Sequence, residues 1–213
     1  MKEILINTKR FKNFIALQGD KSNKPFLNRM TEATSIKLNK DDIVADVGAY
    51  IGEYSIYAIE QGVKKVMAYE PTPNTFKILK KNKRGNMIVN NLAVVGSSKI
   101  KTIDLHISAG IGVTNSVVKS NRKSHSVTVN AISYEEAIKD ATVVKIDVEG
   151  AEYDYNIIQE NLRAIILEFH PVNGFDWQKR AKQIMKEINQ AGFKTIMEPT
   201  FKSGWNLTGS FLR

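Results

Sequence analysis

A chain of 213 residues with 42% apolar and 25% charged side chains has the length of one domain with a sizeable core and gives no compositional case for disorder. The absence of cysteine excludes disulfides, thiolate metal sites and cysteine nucleophiles, and fits a reducing setting. The formal charge of +9 is concentrated at the start, where residues 1–40 carry nine basic side chains against three acidic ones.

That segment is expected to form a basic, helical extension packed on a main domain spanning residues 41–213. Clustered lysine and arginine attract phosphate whatever its sequence, so RNA is a partner to weigh, although a solvated surface is the simpler reading. No run approaches ~18 consecutive apolar residues, and MKEILINTKRFKNF lacks an apolar stretch followed by a small-residue cleavage site. A soluble cytoplasmic protein with no membrane partner is expected. Oligomeric state cannot be read from the sequence.

From residue 43 short β-branched runs alternate with amphipathic ones, the pattern of a parallel sheet with helical crossovers. IVADVG (43–48) reads as a strand, GEYSIYAIEQG as a helix closing at glycine, KVMAYE (65–70) as a strand, NTFKILKKNKRG as a second helix closing at glycine, and MIVNNLAVV (87–95) as a strand. KIKTIDLHI (99–107) and SVTVNAI (126–132) interrupt the alternation as an inserted β-hairpin, and the segment 108–125 between them is long enough to be a lid. TVVKIDV (142–148) and AIILEFH (164–170) resume the buried strands. WQKRAKQIMKEINQAGF places Ala181, Ile184, Met185, Ile188 and Ala191 on one stripe before Gly192, hence a helix. FKTIM and NLTGSFLR then read as a C-terminal antiparallel hairpin closing the sheet edge. The expected fold class is α/β, a mostly parallel doubly wound sheet.

DVGAYIGEYS (46–55) follows a strand and opens a helix, the setting of a nucleotide-binding turn. Gly48 lets the chain turn sharply, and Gly52 lets helix and strand approach. Glu70 closes the next strand 22 residues after Gly48, near the ~20 expected of a carboxylate that takes both ribose hydroxyls. The spacing is G-x-x-x-G, with Tyr50 filling the position where a dinucleotide site needs the glycine that admits a pyrophosphate. Asp46, two residues before the first glycine, suits a ligand with a positive amino-acid end. Both facts favour S-adenosylmethionine as the cofactor.

Five segments together carry a family resemblance: VADVGAYIGEYS (44–55), MAYEPTPNTFKILKKN (67–82), NLAVVGS (91–97), VVKIDVEGAEYD (143–154) and IILEFHP (165–171). In this order they resemble the FkbM family of S-adenosylmethionine-dependent methyltransferases, which are class I enzymes with a Rossmann-like fold; KIDVEGAE is the most specific of the motifs. The resemblance implies that Asp46, Gly48, Tyr50 and Gly52 surround the methionine end of the cofactor, with Ala49, Tyr54 and Ser55 in the same turn and helix. It implies that Glu70, with Pro71, holds the ribose, that Asn91 and Ala93 lie near the adenine, and that Asp147 faces the sulfonium. Tyr50 departs from the family, where a small or amide residue is common. The activity implied is O-methylation of a small-molecule or sugar hydroxyl. An RNA methyltransferase using the basic N-terminal surface is the alternative, and a protein that binds the cofactor without catalysis is the third reading. Against the usual RNA chemistries, no cysteine exists to attack a pyrimidine, and the strand ends in DVEG rather than the Asn/Asp-Pro-Pro-aromatic turn that serves exocyclic amines.

In an open parallel sheet ligands sit beyond the carboxyl ends of the strands, which places Asp147 at the chemistry. Alternation sends Lys145 and Asp147 to one side and Ile146 and Val148 to the other. Glu152 and Asp154, in a first helical turn, are favoured by the helix dipole by ~0.3–1 kcal/mol and need no functional role. Asp147 and Glu149 are left as counter-charges for a cationic ligand. No metal site is expected, because hard cations need more oxygen ligands than one short turn supplies. His170, whose ordinary pKa of ~6.5 suits a general base, is expected at the cleft rim beside Glu149, completing a catalytic set of His170, Asp147 and Glu149. His106 and His125 are expected on the surface of the inserted hairpin.

Overall fold

A computed structural model describes residues 3–6, 13–17, 34–108, 124–197 and 207–213. The chain begins with β1 (Glu3–Ile6) and β2 (Phe14–Leu17), then runs through β3 (Ile43–Val47), α1 (Glu53–Glu60), β4 (Lys65–Tyr69), α2 (Pro73–Asn82) and β5 (Met87–Asn90). It continues with β6 (Ala93–Val95), β7 (Thr102–Ser108), β8 (Ser124–Ser133), α3 (Tyr134–Ile138), β9 (Val143–Ile146) and β10 (Ala164–Phe169), and closes with α4 (Trp177–Gln190), β11 (Lys194–Met197) and β12 (Leu207–Leu212). The main sheet has the order β11-β12-β10-β9-β3-β4-β5. The five strands from β10 to the β5 edge are parallel, and β12 runs antiparallel to both of its neighbours. The expected doubly wound sheet and C-terminal hairpin are therefore both present.

Strand alternation divides the core into two layers. Ala45, Val47, Val144 and Ile146 face one side, where α3 and α4 contribute Ala137, Ile138, Ala181, Ile184 and Ile188. Val44, Val66, Val143 and Ile166 face the other, against Ile56 and Tyr57 of α1 and Ile78 and Leu79 of α2. Each of these valine, leucine and isoleucine side chains contributes about 1.5–3 kcal/mol when fully buried. Among the described residues no helix is long and apolar enough to cross a membrane.

Three expectations need correction. MIVNNLAVV is not one strand: after β5 the chain turns at Asn91, whose amide donates to the carbonyls of Glu70 (2.8 Å) and Pro71 (2.9 Å). β6 then leaves the main sheet and pairs with β8, which also carries β7, so the inserted hairpin is the larger part of a separate three-stranded sheet. α2 stops at Asn82, before the glycine expected to close it. The third correction concerns the N-terminal segment, where the helix expected within 1–40 is absent from the described stretches: Glu3–Ile6 pairs antiparallel with Phe14–Leu17. Phe14 and Ala16 are buried with Ile15 between them only partly covered, a period of two that the all-apolar run FIAL conceals. The 109–123 part of the supposed lid and most of the basic residues of 1–40 lie outside the described residues.

Asn82 explains both the end of α2 and the position of the hairpin. Its amide oxygen accepts from Ile15 N–H, and its amide nitrogen donates to the carbonyls of Ile15 and Ile51, each at 2.8 Å. Asn82→Ala leaves one donor and two acceptors without these partners, so urea unfolding should show a loss of about 1–3 kcal/mol, with faster hydrogen exchange at the Ile15 amide. Unchanged exchange there would mean that the hairpin is held by other contacts.

Candidate functional site

The glycine turn of residues 46–55 forms the floor of a cavity at the carboxyl ends of β3, β4 and β9. Gly48 adopts φ +82°, and a Cβ on it would lie 1.8 Å from the carbonyl oxygen of Asp147. Gly52, at φ +98°, caps the start of α1, where a Cβ would lie 2.8 Å from Leu79 Cδ1. Between them Tyr50 takes φ +52°, a left-handed conformation uncommon for a side chain of this size. Three consecutive N–H groups tie the turn to the end of the neighbouring strand. Gly48 and Ala49 N–H donate to the Tyr69 carbonyl at 3.0 and 2.9 Å, and Tyr50 N–H donates to Glu70 Oε2 at 3.0 Å.

Of the residues singled out from the sequence, Gly48, Ala49, Tyr50, Tyr54, Glu70, Pro71, Ala93, Asp147 and Glu149 line this cavity. Asp46, Gly52, Ser55, Asn91 and His170 do not. Asp46 is fully buried behind the turn, its Oδ2 accepting from the Ser55 hydroxyl at 2.6 Å and its Oδ1 3.7 Å from Lys145 Nζ. Burial raises its pKa, opposed by Lys145. Asn91 supports the wall through backbone carbonyls, and its neighbour Leu92 faces the cavity instead. Sequence reasoning also missed Glu53, Thr72, Leu105 and Lys145 as lining residues. Leu105 comes from the separate small sheet, so no local motif points to it. Lys145 was legible, since alternation already sets it beside Asp147.

Glu70 is buried, with Oε1 accepting from Thr72 N–H at 2.8 Å and Oε2 from Tyr50 N–H. A carboxylate has about four acceptor sites, so these two bonds orient it and leave capacity for the two hydroxyls of a ribose. Burial pushes its pKa up to about 7, against the lowering effect of the Thr72 and Tyr50 N–H groups.

Beyond the end of β9, Lys145 Nζ donates to Asp147 Oδ2 at 3.0 Å and to the Gly48 carbonyl at 3.3 Å. Burial opposes the lysine charge, but Asp147 and Asp46 hold its pKa above the ordinary value. The Asp147 charge is likewise opposed by burial, and Lys145 and then His170 hold its pKa below the usual carboxylate range. Glu149, held at φ +54°, is pushed up to about 7 by burial.

The expected role of His170 as a base at the rim does not match its surroundings. The residue is 4% exposed and does not line the cavity. Its Nε2 lies 3.5 Å from Asp147 Oδ1, 3.7 Å from Glu149 Oε1 and 3.7 Å from Glu168 Oε1, and its Nδ1 lies 3.5 Å from Glu152 Oε1. Burial disfavours the imidazolium, whereas Glu152, Glu149 and Asp147 favour it and together raise the pKa to about 10. The expectation of no metal site rested on the turn after β9 alone. A third possible ligand comes from the end of β10 rather than from the turn after β9, and one donor atom each from Asp147, Glu149 and His170 lie within 4.8 Å of one another.

Five parallel strands flanked by an antiparallel C-terminal hairpin, a glycine turn after the first of them and an acid closing the second define a class I methyltransferase. Residues 46–195 match the Methyltransferase FkbM domain, and the chain belongs to that family. It is an S-adenosylmethionine-dependent methyltransferase, and S-adenosylmethionine is its cofactor. Trm5b of Pyrococcus abyssi is similar in fold, with a TM-score of 0.52 at 13% identity over 99% of this chain and 55% of that one. The Escherichia coli yhhF protein, assigned as a methyltransferase, gives 0.50 at 13% identity over 100% and 98% of the two chains. No curated protein sequence matches the chain.

Two measurements address this site. Gly48→Ala should destabilise the protein by at least about 1–3 kcal/mol, since backbone rather than a flexible side chain must move, and should abolish binding of S-adenosylhomocysteine in calorimetry; binding with native affinity would show that the turn is not part of the cofactor site. If the ionised Glu70 is the form that accepts the ribose hydroxyls, affinity should weaken roughly tenfold from pH 8 to pH 6. Glu70→Gln should bind more weakly and flatten that profile, and an equally steep profile in the variant would assign the titration elsewhere.

Proposed function

We propose that the protein transfers the methyl group to a hydroxyl of a small molecule or saccharide. When bound, S-adenosylmethionine supplies an electrophilic methyl on a sulfonium, so what distinguishes one family member from another is the group brought to face it. The observation that carries this reading is the pair of carboxylates that line the cavity. Asp147 and Glu149 border the cavity, with Glu168 and Glu152 grouped behind them around His170. Carboxylates are acceptors only, so they suit an incoming hydroxyl, whose proton they can receive in a hydrogen bond. A phosphate backbone brought to the same place meets like charge at short range in a partly desolvated setting.

RNA remains the second reading on one observation, the nine basic side chains against three acidic ones in residues 1–40. The test is transfer from radiolabelled S-adenosylmethionine to a panel of sugars and other hydroxyl compounds, run beside total RNA. Transfer to a hydroxyl compound, with RNA binding weak and insensitive to salt, supports the proposal. Label entering RNA, with affinity falling steeply as salt rises, would replace it with the second reading.

A further inference from the structure

We infer that Asp147, Glu149 and His170 form a binding site for a divalent first-row transition cation at the edge of the cofactor cavity. The inference begins with His170. Both ring nitrogens are buried and make no hydrogen bond, although such groups in folded proteins almost always find a partner. An imidazolium packed only as a counter-ion would settle at about 2.7–2.9 Å from one of its carboxylates. Here Nε2 stands back from Asp147 and Glu149 at 3.5 and 3.7 Å. Ligands at about 2.0–2.2 Å from a tetrahedral ion lie about 3.4 Å from each other, close to these two separations, and the three donor atoms together lie within 4.8 Å of one another.

The surroundings support the three ligands as a metal site requires. Lys145 donates to Asp147 Oδ2, leaving Oδ1 as the oxygen that faces His170. Glu152 Oε1 lies 3.5 Å from Nδ1, on the far side of the ring from Asp147 and Glu149. At that separation it makes no hydrogen bond to Nδ1, but it sets a carboxylate behind the ring, where the second nitrogen of a ligating histidine finds its partner. Glu152 is itself held, with Oε2 accepting from Gly150 N–H at 2.8 Å and Oε1 from His170 N–H at 2.6 Å. Two carboxylates and one imidazole point to manganese, iron, cobalt or zinc rather than to magnesium or calcium, which favour oxygen ligands alone. Three protein ligands leave positions open. Because Asp147 and Glu149 also line the cavity, an ion held there could orient and polarise an acceptor oxygen, and that role alone rests on the hydroxyl reading proposed above.

The test uses the full chain stripped with a chelator, with neither cofactor nor acceptor present, so that a failure of the acceptor assignment leaves its outcome untouched. Mn2+ is titrated by calorimetry and by loss of the free-ion electron paramagnetic resonance signal, with Zn2+ as a second probe. One ion per chain is expected, accompanied by a rise in Tm that Mg2+ at the same concentration does not give. Glu149→Gln, isosteric and on a partly exposed residue, should weaken Mn2+ at least tenfold while remaining folded by circular dichroism; His170→Ala should abolish binding where it folds. Absence of Mn2+ and Zn2+ binding at millimolar concentration, or native affinity in Glu149→Gln, would overturn the site. An equal rise in Tm with Mg2+ would overturn the class of ion.

Discussion

The site depends on one close approach of backbone to backbone. The chain leaving β9 passes so near Gly48 that only a glycine fits beneath the Asp147 carbonyl. Asp147 N–H donates to the Val47 carbonyl at 2.9 Å, so the ends of β3 and β9 are joined where both leave the sheet. That junction brings the glycine turn within reach of the acidic turn, and both line one cavity. Parallel strands with helical crossovers deliver every such end to the same edge of the sheet, and the glycine lets two of them share one point.

Closeness of this kind concentrates charge, and Lys145 makes it tolerable. The register pairs Lys145 directly with Asp46 on the neighbouring strand, while alternation along β9 sets it beside Asp147. One buried ammonium thus serves two carboxylates. Such a group is weak evidence for stability, since hydrophobic replacement of a whole buried pair is often neutral, but removing one partner strands the others at about 3–5 kcal/mol. The same pairing explains why Asp46 does not reach the cavity: its oxygens are directed to Ser55 and Lys145.

Much of this was legible from residue types and spacing. The strand and helix alternation, the glycine turn and Glu70 at the end of β4 follow from local pattern, and local pattern is what periodicity records. The readings that failed concern relations between distant segments. Nothing in MIVNNLAVV tells that Asn91 will bond backwards to Glu70 and Pro71 and split the run between two sheets, because the partner carbonyls are 20 and 21 residues away. FIAL hides its alternation because both of its faces are apolar. His170 looks like a rim residue from its place at the end of AIILEFH, and only the fold of the preceding turn shows that three carboxylates from it join Glu168 around the ring.

The turn after β9 therefore has a structural task separate from the ligands it carries. Glu152 accepts the His170 N–H, and the neighbouring Tyr153 donates its hydroxyl to the His170 carbonyl at 2.7 Å. A single turn holds the backbone of His170 at both polar groups, so the ring is aimed before any ligand arrives. Groups whose supporting contacts are fixed in advance lose little further freedom on binding. That accounts for the run of acids in DVEGAEYD without assigning them one common purpose. Asp147 and Glu149 face outward to the cavity edge, whereas Glu152, fully buried, is the strut that keeps the end of β10 in register with them.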